Sequence, residues 1–146
     1  MADNSRISRI SQPAPGYIRV MDRSTLSSAV VARAAGVTYR QLDYWVRCGL
    51  YPDVVRAPGS GSARRWHHRH VAVTAVYASL QRMGAGMEVC ARVASWLVDL
   101  EGPWSGHLVV APDGSLGDAD TREAWLVDLH WCWSHAEPAR ALACAL

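Results

Sequence analysis

The chain has no lysine and no phenylalanine; all fifteen of its basic residues are arginine. Every cationic contact it makes therefore falls to guanidinium groups, which favour planar, bidentate pairing with phosphate or guanine. A GC-rich coding sequence produces the same bias. No stretch approaches the roughly 20 uncharged apolar residues of a membrane helix, and none near the N-terminus forms the continuous apolar segment of a signal peptide. The four cysteines, Cys48, Cys90, Cys132 and Cys144, include no CxxC pair. That reads as reduced, mostly buried thiols in a cytoplasmic protein rather than as a disulfide framework. No Ser/His/Asp arrangement, paired carboxylate or phosphate-binding glycine loop has a credible setting, so no enzyme is expected.

What is present is a charge asymmetry. Residues 1–100 hold thirteen arginines against six acids, a balance of +7, whereas residues 101–146 hold two arginines against seven acids, a balance of −5. A basic front and an acidic rear imply a polyanionic partner for the first part only. At 146 residues, about half of them apolar, the chain can bury one core, or a small core with an appendage.

Residues 1–22 are polar and basic without periodicity and read as a flexible tail. The organised part, 23–101, begins with a helix over "SSAVVARAAG", which Ser24 or Ser27 can cap and Gly36 can end. After a tight turn comes "VTYRQLDYWVRCGLYP". Thr38 can cap this second helix, and Gly49 closes it before Pro52. Leu42, Trp45 and Val46 fall at i, i+3 and i+4 and point inward, leaving Tyr39, Arg40, Asp43, Tyr44 and Arg47 on the remaining arc. Two short helices joined by a glycine turn make a helix-turn-helix.

Residues 53–67 follow as a basic hairpin: a β-prone run from Asp53 to Arg56, a tip "PGSGS", and a return strand from Ala63 to His67 carrying Arg64 and Arg65. A basic hairpin directly after a helix-turn-helix is a wing, which lies along the phosphate backbone or probes the minor groove while the second helix enters the major groove. Arg56, Ser60, Gly61, Ser62, Arg64 and Arg65 are its candidate contacts. Two further helices complete this core. Residues 68–83 place Val71, Ala75, Ala78 and Leu80 to Met83 on one broad face, and 87–100 present Val89, Val93, Trp96, Leu97 and Leu100.

The order of these elements, with "TYRQLDYWVRCGL", "GSGSARRW" and a helix ending in "LQRMG", resembles the DNA-binding domain of the MerR family of bacterial regulators, in particular variants common in actinobacteria and their phages. The resemblance covers roughly Leu26 to Leu100. It implies that Thr38, Tyr39, Arg40 and Tyr44 face DNA, that Arg64 contacts the backbone, and that Trp66 packs the wing onto the core. Many members continue into a long antiparallel dimerisation helix and then an effector domain; here "GPWSG", Gly102 to Gly106, breaks the helix early.

Asp43 would repel phosphate, so it either holds Arg40 or Arg47 in place or accepts from a cytosine amino group. The other reading is that Asp43, Arg40 and Arg47 form an internally paired, solvated face. His67, His68 and His70 cluster at a strand-to-helix junction, where capping and phosphate contact are better readings than metal binding. In residues 102–146, "HLVVAPDGSL" reads as a strand entering a turn. "EAWLVDLHWCW" alternates with Trp125, Val127, Leu129, Trp131 and Trp133 on one side. A strand over 125–133 would put His130 and Cys132 on one face, open to a metal or thiol-sensor reading against that of a buried cysteine. A helix over 121–131 stays open. Such strands need a partner surface, and the region reads as a small dimerisation or regulatory module, or as a ligand pocket.

The expected fold is thus α+β, mainly α: a winged helix-turn-helix of four helices plus a β-hairpin wing, with a small C-terminal β-hairpin/helix appendage. The expected function is a sequence-specific double-stranded DNA-binding transcriptional regulator, acting as a homodimer or a head-to-tail cooperative assembly. No cofactor, metal or membrane is called for, and a small-molecule effector is not indicated. A phage-type excision or recombination directionality factor is the alternative, as is a protein-interaction module on a degenerate winged helix.

Overall fold

The structure is a computed structural model that describes residues 25–56, 64–117 and 123–139, with the backbone alone at 55 and 56. The tail 1–22 and the wing-tip residues Ser60, Gly61 and Ser62 lie outside the described residues, as does the side chain of Arg56. The described chain is mixed α and β and mainly helical. Helix α1 spans Ser28–Ala35, α2 Tyr39–Arg47, α3 His68–Arg82, α4 Met87–Leu97 and α5 Leu129–Ser134. Strands β1 (Val55–Arg56) and β2 (Arg64–Arg65) pair antiparallel, as do β3 (His107–Val110) and β4 (Trp125–Asp128).

Local chemistry sets the first two helices. The Ser27 hydroxyl accepts from the Val30 amide and starts α1. Gly36, at φ 74°, ends it in the left-handed conformation that costs glycine least. There the Val37 amide reaches back to the Ala32 carbonyl at 2.9 Å, as in a Schellman closure. Thr38 opens α2 with a reciprocal capping box. Its hydroxyl accepts from the Gln41 amide at 3.1 Å, and its own amide donates to Gln41 Oε1 at 2.9 Å. Leu42 and Trp45 are buried and Val46 is half-buried against the core, as their spacing requires.

Helix α3 is the axis of the molecule, packing against α1, α4, α5 and β4. The sequence suggested one broad buried face ending at Met83. Instead His68, His70 to Ala78 and Leu80 are all buried, and Met83, one residue past the helix, is exposed. A helix covered on every side shows no clean amphipathic stripe. The covering on its second side comes from the C-terminal residues. Trp125 Nε1 donates to the Met83 carbonyl at 3.1 Å, and the Trp133 ring lies 5.6 Å from His68 and 5.4 Å from Trp104. One hydrophobic core runs from Leu26 to Ala139.

The strand reading of 125–133 holds only to Asp128. There the Asp128 carboxylate accepts from the Trp131 amide at 2.9 Å and starts α5, so the period changes from two to 3.6 in mid-stretch. His130 and Cys132, two apart on a helix, therefore point to different sides: His130 is exposed and Cys132 buried. Burial pushes the Cys132 thiol up to about 12 and the Cys90 thiol up to about 11, so neither forms thiolate readily.

Candidate nucleic-acid interface

At 3.6 residues per turn, Tyr39, Asp43, Arg47, Arg40 and Tyr44 share one arc of about 140° on α2, opposite Leu42 and Trp45. Tyr39 and Tyr44 are 57% and 51% exposed, a large apolar area to leave in water on a nine-residue helix. Arg40 is exposed as well, and Thr38 sits at the N-terminus as the cap. The Cys48 thiol, one turn beyond Tyr44, pushes the Tyr44 hydroxyl above its ordinary pKa through a shared hydrogen bond.

Asp43 takes the centre of this arc. Its Oδ2 lies 2.8 Å from Arg47 Nη2 on its own helix, and its Oδ1 accepts from Arg64 Nη1 on β2, also at 2.8 Å. The hydrogen bond from Arg64 and the charges of both guanidiniums hold its carboxyl below the usual carboxylate range. Asp43 thus pairs with Arg47, not Arg40, and also reaches an arginine 21 residues away. Arg47 keeps 67% of its side chain exposed, whereas Arg64 keeps 12%. Arg65, the next residue along β2, is exposed.

The hairpin is seated by Trp66. Its backbone pairs with Leu26 ahead of α1, its Nε1 donates to Ser28 Oγ at 2.8 Å, and its buried ring lies 4.9 Å from that of Tyr51. Tyr51 in turn shares a 2.7 Å hydrogen bond with Thr74 in the middle of α3. Trp66 thus joins the hairpin to α1 and to the central helix.

A second polar network at the hairpin base was missed from sequence. Asp53 Oδ2 lies 3.0 Å from His70 Nε2 and 3.2 Å from Arg69 Nη2, and the Arg69 guanidinium also donates to the Val98 carbonyl just past α4. His70 Nδ1 accepts from the His67 amide at 2.9 Å, so the proton of the neutral ring sits on Nε2 and is donated to Asp53. Nothing in the spacing marked Asp53 as the partner of residues 16 and 17 positions later. Of the two sequence readings of the histidine cluster, capping and phosphate contact, His70 performs the first.

Burial pushes His70 below the ordinary imidazole value of 6.5, against the opposing pull of Asp53. Desolvation works against the Asp53 charge, but the His70 hydrogen bond and the Arg69 charge win and hold its pKa below 3.8. A lowered folded value means that the unfolded chain binds more protons, so stability falls as pH falls. The His70 contribution is complete above about 6.5 and is lost as pH drops through its folded value; that of Asp53 is lost only below about 3.8. Urea midpoints should therefore decline as pH falls below about 6.5, and His70→Gln should flatten that decline. An unchanged slope in His70→Gln would assign the decline to another group.

Among the described residues, no helix is long and apolar enough to cross a membrane. A model of the MerR HTH family regulatory proteins matches residues 26–95. Uncharacterized HTH-type transcriptional regulators of Mycobacterium bovis and of two strains of Mycobacterium tuberculosis are each 41% identical over 54 residues. That match takes in 36% of this chain and 24% of each relative, so the chain spans about a quarter of the length of these curated relatives. No solved structure matches significantly. The matched segment begins at Leu26, where the Trp66 bridge starts the fold, and takes in α1, α2, the hairpin, α3 and most of α4. Residues 26–95 are a helix-turn-helix domain of the MerR family.

Proposed function

We propose that this chain is a sequence-specific double-stranded DNA-binding transcriptional regulator, with α2 entering the major groove and the hairpin lying as a wing on the backbone or minor groove. The observation that carries this reading is the exposed arc of Tyr39, Arg40, Tyr44 and Arg47, on a helix capped at its start and tied to a basic hairpin. Two half-exposed tyrosines flanked by arginines suit a surface that alternates phosphate, sugar and base edge. Hydroxyls and guanidiniums donate to phosphate, and rings pack on sugar or thymine methyl. It acts on DNA as a homodimer or a cooperative array.

The test is a salt titration of binding to a mixed-sequence duplex and to a duplex selected by the protein from a randomised pool. Affinity should fall with log salt at about 0.9 per phosphate contacted. Arg40→Ala should cost about 1–3 kcal/mol on the selected duplex, where it reads a base, and much less on the mixed one. A wild-type protein without salt-dependent duplex binding would overturn the reading.

A further inference from the structure

Arg64 and Arg65 are consecutive on β2, so their side chains leave opposite faces of the hairpin. The structure treats them differently. Arg64 is nearly covered and its guanidinium is committed to Asp43, while Arg65 projects into solvent. Among the described residues the β1–β2 ladder pairs Val55 with Arg65 and Arg56 with Arg64. An isolated two-stranded ribbon is marginally stable at best in water. Its direction is set from outside: by Trp66 at one end of the return strand, and by the Arg64–Asp43 bond to α2 beside it.

We propose that Asp43 and Arg64 are a positioning pair that sets the angle of the hairpin to α2, and that Arg65 supplies the hairpin's phosphate contact. Asp43 is then no base reader. Each of its oxygens already carries a guanidinium, and the same carboxylate aims the exposed Arg47. The cluster of one acid and two arginines is still cationic toward a polyanion, which resolves why a carboxylate stands in the middle of such a face. Without it Arg47 and Arg64 would be two like charges with nothing between them. The division of labour rests on the DNA-binding reading above; the brace itself does not.

Charge and geometry make opposite forecasts, and that makes the pair testable. If Asp43 were merely a negative charge near DNA, Asp43→Asn would tighten binding. As a positioning residue, its loss weakens binding to the selected duplex by about tenfold, and by much less in an Arg64→Ala background, because the partner is already gone. Arg65→Ala should lower the salt slope on the mixed-sequence duplex by about 0.9, whereas Arg64→Ala should leave it unchanged.

In the free proteins, amide hydrogen exchange at Val55, Arg56, Arg64 and Arg65 should speed up in Asp43→Asn and in Arg64→Ala but not in Arg65→Ala. The proposal is overturned if Arg64→Ala lowers the salt slope as Arg65→Ala does, if Asp43→Asn tightens binding, or if hairpin exchange is unmoved by both brace variants. A wild-type protein that binds no duplex removes the role given to Arg65 along with the DNA reading. The exchange measurement, made without DNA, still decides the brace.

Discussion

Trp66→Ala is expected to lower the unfolding free energy by about 3–5 kcal/mol, the usual cost of emptying a buried indole site. The residue is fully buried, its Nε1 donates to Ser28, and its ring meets those of Tyr51 and His70 at 4.9 and 5.6 Å. Its backbone also carries the bridge to Leu26, so the cavity opens where the hairpin, α1 and α3 meet. Urea denaturation measures the loss. Trp66→Phe keeps most of the packing and gives up the N–H donor, leaving Ser28 without that bond, and should cost only about 1–3 kcal/mol. Equal losses in the two variants would mean that the hydrogen bond, rather than packing, holds the hairpin.

Gly102→Val should be the next most damaging change. A β-carbon at residue 102 would lie 1.8 Å from Cη2 of Trp133, with two further ring atoms within 2.4 Å. The ring cannot retreat freely, since Trp104 and His68 pack on it and its Nε1 donates to Glu137. Overpacking of this kind costs about 1–3 kcal/mol and occasionally more, and valine adds two methyl groups beyond the β-carbon. In a Trp133→Ala background the same substitution fills space already vacated and should cost far less. A full additive penalty in the double variant would show that the glycine matters for its backbone and not for the indole resting on it.

These two sites illustrate how much of the molecule could be read in advance. Helix α2 was legible because everything that makes it acts within four residues: the Thr38 cap, the Leu42–Trp45 spacing and the closing Gly49, whose φ is 83°. The exposed arc of Tyr39, Arg40, Tyr44 and Arg47 was legible as what that packing left over. Residues 129–134 were not, because apolar alternation from Trp125 to Trp133 fits a strand throughout; the capping bond from Asp128 to Trp131 decided otherwise. The all-round burial of α3 was hidden for a related reason, since apolar residues on every side of a helix give no direction to a one-face reading.

The sequence by itself determined the helix-turn-helix, its exposed aromatic and arginine arc, and the basic hairpin after it, since capping, periodicity and turn chemistry are local. Only the tertiary structure decided which arginine Asp43 holds, that Asp53 and His70 pair, and that the tryptophan-rich C-terminal residues close over α3 of their own chain. The contacts to Arg64, His70 and Trp125 join residues 17 to more than 40 positions apart. The same carboxylate has a partner within a turn of α2 at Arg47 and another at Arg64, and spacing exposes the first but not the second. The second exists because Trp66 carries the returning strand back beside α2.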